Sequence, residues 1–211
     1  MKTLNFIKKL KEFNRDYFTV SDLEKITGLS RASLKVALSR FVDQGVLFRL
    51  KRGIYVLADV SINAAKIANQ LYYPSYLSFE SALSYYGILS QIPYTEVFAT
   101  TNSPKKFSLG QSEIEFRQIK EALFFGYALE NGIYIAEPEK ALLDQLYMAS
   151  LGRASLNIKE LDLRKIRASV LNAYLSKFPK RLRMLAKDVK KYIGSASITL
   201  ETGERVAGKP S

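Results

Sequence analysis

Arg31, Ser33, Lys35, Ser39 and Arg40 place three cations and two hydroxyls on a short stretch that holds no carboxylate. Arg49, Lys51 and Arg52 follow around Gly53. Arg can bond a guanine edge, and Lys or Ser can hold a phosphate oxygen. The chemistry on offer is recognition of a polyanion. A second set, Glu137, Glu139, Lys140 and Asp144, superficially matches the carboxylate–lysine composition of a metal-dependent nuclease. Such a site needs oxygen ligands converging on one cation. Here Pro138 opens a helix, and acidic groups in a first turn are accounted for by the helix dipole. The chain has neither His nor Cys, which excludes thiolate nucleophiles, histidine bases and Cys-built zinc sites. No catalytic residue, cofactor or metal is expected.

The elements that would position the first set can be read by periodicity. Leu4, Ile7 and Leu10 suggest an amphipathic first helix. After the β-prone Phe18-Thr19-Val20, Ser21 is the expected cap of a second helix, with Glu24 completing a capping box, and Gly28 ends it. Ser30 then caps a third helix from Arg31 to about Gln44, stopped at Gly45. Two helices joined by a short Gly-containing turn form a helix-turn-helix. Leu34, Ala37, Leu38 and Phe41 fall on its inner stripe. Ala32, Ser33, Lys35, Val36, Ser39 and Arg40 fall on the outer arc. Val46–Leu50 and Ile54–Leu57 read as a hairpin with Arg49, Lys51 and Arg52 near its tip, the wing of a winged helix. Arg31, Ser33, Lys35, Ser39, Arg40, Arg49, Lys51 and Arg52 are therefore the expected DNA-binding residues.

The chain has 211 residues and a formal charge of +12, with 47% apolar residues. The charge is uneven: net +6 over 1–60, −3 over 61–150 and +9 over 151–211. Basic ends around a mildly acidic middle suggest separate modules with polyanion binding at the ends. No apolar run reaches the roughly 18 residues of a membrane span, and the start does not read as a secretory signal. A soluble cytoplasmic protein without membrane association is expected.

Beyond Asp59 the pattern predicts a helix over about 62–71, a Ser78-capped helix from Phe79 to Tyr86, and strands over Tyr94–Thr101, Ile114–Ile119 and Phe124–Leu129. Asn131-Gly132 marks a hairpin to Ile133–Ile135. Helices follow from Ala136, over Leu163–Phe178, and over Lys180–Ile193. The last has Leu182, Leu185, Ala186 and Val189 inward and a basic outer face. Residues 195–211 read as a frayed tail. Tyr72, Tyr73, Tyr76, Tyr85 and Tyr86 suit packing between domains better than base stacking. The fold class is α+β: a winged helix-turn-helix over 1–60, a mixed α/β domain with a small sheet and carboxyl-terminal helices over 61–194, and a tail.

The winged helix, Tyr73-Pro74-Ser75-Tyr76-Leu77-Ser78-Phe79-Glu80-Ser81-Ala82-Leu83 with Tyr86-Gly87, and Ala136-Glu137-Pro138-Glu139-Lys140-Ala141-Leu142-Leu143-Asp144 together resemble the AbiEi family over about residues 4–193. These are transcriptional-regulator antitoxins of type IV toxin–antitoxin systems. The resemblance implies an amino-terminal domain that binds double-stranded DNA and represses its own operon through inverted repeats. One winged helix reads only a short stretch, so two copies on an inverted repeat, a dimer on the DNA, are expected. It implies a carboxyl-terminal antitoxin domain that counteracts a nucleotidyltransferase toxin without a required stable complex. Two other readings fit the residues: a nucleic-acid-processing enzyme targeted by its winged helix, and a ligand-responsive regulator.

Overall fold

The computed structural model describes residues 3–59, 62–186 and 189. Three helices and a small sheet come first: α1 (Thr3–Glu12), β1 (Phe18–Thr19), α2 (Val20–Thr27), α3 (Arg31–Asp43), β2 (Leu47–Lys51) and β3 (Ile54–Leu57). Phe6 and Leu10 are the buried residues of α1, whereas Leu4 stays exposed. Leu10 faces inward as expected and Ile7 packs against the same core, but Phe6 takes the place of Leu4, and the reason is Phe41. Its ring stacks on Phe6 with centroids 4.2 Å apart, a pairing worth about 0.5–1.5 kcal/mol beyond the area it buries. Helix α2 starts earlier than expected. Thr19, not Ser21, is its cap, and Asp22, not Glu24, completes the box: Thr19 Oγ1 accepts from the Asp22 amide at 3.1 Å, and Asp22 Oδ2 accepts from the Thr19 amide at 2.9 Å. The same chemistry is available two residues upstream, where Phe18 is buried and fixes the entry of the chain.

Helix α3 begins and ends where expected. Ser30 Oγ accepts from the Ser33 amide at 3.3 Å. At the other end the Val46 amide reaches Phe41 O and the Gly45 amide reaches Val42 O, both at 2.9 Å, a Schellman stop.

The rest of the described chain contains α4 (Ala64–Leu71), β4 (Ser75–Leu77), α5 (Phe79–Tyr85), β5 (Thr95–Thr100), β6 (Lys105–Leu109), β7 (Ser112–Gln118), β8 (Tyr127–Glu130), β9 (Ile133–Ala136), α6 (Pro138–Ser150) and α7 (Ala168–Leu175). The strands form one six-stranded mixed sheet, β6-β7-β5-β4-β9-β8, with parallel pairs β5–β7 and β4–β9. Asn131 and Gly132 both take positive φ, as a type I′ hairpin turn requires. Strands β4 and β6 were not expected. The segment over Leu163–Phe178 is not one helix either. Asp162 Oδ1 caps a single 3-10 turn by accepting from the Arg164 amide, and α7 starts only after Arg167, whose amide is drawn to Glu139 Oε1 at 2.8 Å. A final helical stretch covers 180–186, with Leu182, Ala186 and Val189 buried and Leu185 exposed against expectation. The end of that expected helix and the 195–211 tail lie outside the described residues.

Apolar side chains gather in two clusters. The smaller holds Phe6, Leu10, Phe18, Leu23, Leu34, Leu38, Phe41, Leu47 and Leu57. The larger surrounds the six-stranded sheet and also takes Val56 from β3. The small sheet therefore has one face on its own helices and the other on the larger cluster. Polar contacts seal the seam. Asp16 accepts from Lys66 Nζ at 2.9 Å and Gln70 Nε2 at 3.1 Å, and Leu50 O accepts from the Gly110 amide at 3.1 Å. The tyrosines expected between domains mostly belong elsewhere. Tyr76 is fully buried in the larger cluster, Tyr72 packs on Phe116, and Tyr73 and Tyr85 are exposed.

Candidate nucleic-acid interface

Leu34, Leu38 and Phe41 anchor α3 to the smaller core. Ala37 and Val42 pack beside them, half-buried, whereas Arg31, Ala32, Ser33, Lys35, Val36, Ser39 and Arg40 are all exposed. Arg31 stands at the amino end with its side chain 85% exposed and only a loose 4.0 Å approach to Glu24. Its guanidinium is thus free to meet an outside partner. Lys35, Arg40, Arg49 and Arg52 enter no ion pair among the described residues. Arg40 lies over the Phe41 ring at 5.3 Å. Ser33 Oγ accepts from Ser30 Oγ at 3.1 Å and keeps its own proton to donate.

At about 100° per residue, Lys35 and Arg40 lie on opposite flanks of the outer face. Its midline is Ala32, Val36, Ser39 and Asp43. Val36 is 72% exposed, which is unusual for a branched apolar side chain on a packed helix. Neither Val36 nor Asp43 stands among the expected site residues. Their signal was present in the helical spacing, which puts both on the arc opposite Leu34 and Phe41. Asp43 restricts the anion-compatible surface to the first turns of α3, where no carboxylate stands.

The wing divides its three cations between two faces. Leu47 pairs with Leu57, Phe48 with Val56 and Arg49 with Tyr55, and Lys51 then pairs with Ile54, leaving Leu50 as an extra residue. Such a bulge inverts the alternation that follows it. Arg49 shares the Leu47–Tyr55 face, the one turned to the helices. Lys51 shares the Ile54–Val56 face, turned to the six-stranded sheet. There the Lys51 ammonium lies 3.6 Å from the centroid of the Phe107 ring on β6. Partial burial, and then repulsion from Lys105, hold its pKa below the usual lysine value. Arg52 occupies the exposed two-residue turn with Gly53, which sits at φ +83° and so favours glycine. The structure thus brings Ser33, Lys35, Ser39 and Arg40 onto one open face, with Arg31 exposed at its amino end on the flank beside α2 and Arg49 and Arg52 on the hairpin, and sends Lys51 into the seam.

The carboxylate–lysine set does not assemble as a metal site. Lys140 and Asp144, one helical turn apart on α6, form a fully buried ion pair. Asp144 Oδ2 also accepts from Tyr76 Oη at 3.0 Å and Ser78 Oγ at 2.8 Å, and Lys140 Nζ donates to Tyr76 Oη at 2.8 Å. Ser78 therefore does not use its hydroxyl to cap α5. Glu139 accepts from the Arg167 amide at 2.8 Å and Nε at 3.0 Å, and Glu137 accepts from Tyr174 Oη at 2.9 Å. Partnership, as well as the helix dipole, accounts for these acids. Among the described residues no three or more potential ligands converge on a point, and no helix is long and apolar enough to cross a membrane.

No curated protein matches the chain. Residues 5–58 match the family model described as transcriptional regulator, AbiEi antitoxin. That span covers the helices, the wing and every residue of the open face. The two segments around Ser78 and Lys140 lie outside it. Over residues 5–58 the chain is thus similar to the transcriptional regulators described as AbiEi antitoxin.

Proposed function

We propose that this chain binds double-stranded DNA through α3 and the wing, represses transcription of its own operon, and acts as the antitoxin of a type IV toxin–antitoxin system. The observation that carries the reading is the outer face of α3 between Arg31 and Arg40, which is exposed, cationic and free of carboxylates. The first turns of α3 enter a major groove. Arg31 meets a base edge, and Lys35 and Arg40 hold phosphates on either side. Ala32 and Val36 meet thymine methyl groups, and Ser33 and Ser39 donate to phosphate or base. Arg49 and Arg52 hold the backbone beside the groove, while Lys51 fixes the angle of the wing through Phe107. One such module reads few base pairs, so two copies meet on an inverted repeat.

Residues 1–60 are the DNA-binding domain in this reading, and 61–194 the antitoxin domain. The functional partner is a nucleotidyltransferase toxin, opposed in the cytoplasm without a stable complex. The test is a binding titration of the full chain against a duplex of its own promoter and a scrambled duplex of equal composition. Preference for the promoter of about 1,000-fold or more is expected. Equal affinity for both overturns sequence-specific repression. Co-expression with the neighbouring toxin gene checks the antitoxin role; growth arrest that persists in its presence overturns it.

A further inference from the structure

Strand β6 forms one edge of the six-stranded sheet. Between it, β7 and the end of α6 opens a cleft of about 730 Å³, whose charged lining is Lys105, Lys106, Glu115, Arg117 and Arg153. That volume is in the range that holds small molecules. Arg117 is built into the wall rather than draped across it. Its Nη1 donates to both oxygens of Glu80, at 3.0 and 3.2 Å, and its Nε donates to Glu115 at 2.8 Å. Glu80 is held in turn by Nε2 of the buried Gln145 at 3.0 Å. Arg117 Nη2 has no hydrogen-bond partner among the described residues. A guanidinium fixed by its own supporting shell loses little entropy on meeting a ligand.

Lys105, Lys106 and Arg153 form no ion pair among the described residues. Lys105 touches the cleft from the other side of β6: it pairs with Phe116, and its ammonium lies 4.8 Å from the centroid of the Tyr72 ring, away from Lys106 and Arg117. Set against Glu80 and Glu115, Lys106, Arg117 and Arg153 leave one positive charge uncompensated. Edge-strand lysines can also serve merely to block sheet-to-sheet association. That role explains neither the supported Arg117 nor Arg153, which comes from beyond α6.

We propose that this cleft binds a small phosphate monoester. Such a group offers three acceptor oxygens, one each for the fixed guanidinium of Arg117, the Lys106 ammonium and the Arg153 guanidinium. A phosphodiester of a nucleic-acid backbone has only two free oxygens for the same three cations and matches less well. Lys106 and Arg153 are exposed, so replacing them leaves the fold intact.

The test is calorimetric titration of the full chain with inorganic phosphate, AMP and dimethyl phosphate at constant ionic strength, without DNA. Saturable one-site binding of the first two is expected, with dimethyl phosphate about tenfold weaker or worse. The double variant Lys106→Ala/Arg153→Ala should weaken phosphate and AMP by about tenfold or more at an unchanged melting temperature. No saturable binding, or binding that survives the double variant, overturns the assignment. Equal binding of dimethyl phosphate overturns it too, by giving the cleft to a nucleic-acid backbone. None of these results bears on α3, so the proposed DNA binding stands or falls separately.

Discussion

Truncating Arg49 and Arg52 together to Ala, and Lys51 alone to Ala, separates the two faces of the wing. Both arginines are exposed and without ionic partners among the described residues, whereas the Lys51 ammonium is spent on the Phe107 ring at 3.6 Å. Each phosphate contact contributes about 0.9 to the slope of log affinity against log salt. Losing two contacts should flatten the slope by about 1.8, so the gap between wild type and the double variant closes by roughly twelvefold over a fourfold rise in salt. Lys51→Ala should leave the slope where it was, because its charge faces the seam. Its expected effect is a looser wing, seen as faster amide exchange in β2 and β3. Fluorescence anisotropy on promoter and scrambled duplexes, at four or more salt concentrations, measures the slopes. A Lys51→Ala slope as flat as that of the arginine double variant would refute the face assignment made from the bulge. An unchanged slope in the double variant removes the wing from the DNA-binding surface altogether.

Three further outcomes follow from other parts of the molecule. Arg31→Ala should cost about 1–3 kcal/mol on the promoter and relax preference at one or two positions; a uniform loss across scrambled duplexes reassigns Arg31 to phosphate. Lys140→Met should lower unfolding stability by about 3–5 kcal/mol in urea titrations, because it strands the buried Asp144, while Lys140→Met/Asp144→Leu should cost less than the sum of its two single changes; strict additivity contradicts a coupled pair. Burial pushes the Glu139 carboxyl upward, but the Arg167 side chain and amide outweigh it and hold its pKa below the ordinary 4.5. Its contribution is therefore complete above the unfolded-state value and disappears as acidification passes the lower folded one. Glu139→Gln should flatten that acid limb of the stability profile, and an unaltered limb in melts across that window rules out the linkage.

The open face of α3 was legible because it depends on local rules: a Ser30 cap, a glycine stop, and a period that sends Leu34, Leu38 and Phe41 inward. The wing was legible as a hairpin but not in its facing. The extra residue at Leu50 follows from which partner Lys51 finds across the strands, and that choice is made with Phe107 and Gly110, far along the chain. Strand β4 was hidden for a related reason. Its three residues are all buried, so no polar alternation announces them, and only the pairing with β5 and β9 makes them a strand. Strand β6 begins with two lysines at a sheet edge, which reads as a loop until β7 lies beside it. The cap of α2 shows local chemistry to be degenerate: Ser21–Glu24 and Thr19–Asp22 both satisfy the capping pattern, and burial of Phe18 favours the second.

The two segments that extend the AbiEi resemblance beyond the wing meet in space. Tyr76 and Ser78 come from one, Lys140 and Asp144 from the other, and together they form a single buried polar network. Glu80 of the first segment is likewise held by Gln145 on the helix that carries the second. A polar cluster of this kind is tolerated in a core only when every member is satisfied, and that demand fixes residue types tightly. The two segments thus build an interior rather than a surface for a partner. Recognition in the proposed antitoxin role has to be sought in exposed groups that no core constrains. Substitutions at Tyr76, Ser78 or Asp144 that abolish activity would report loss of the scaffold, and only those that leave the melting temperature intact bear on recognition.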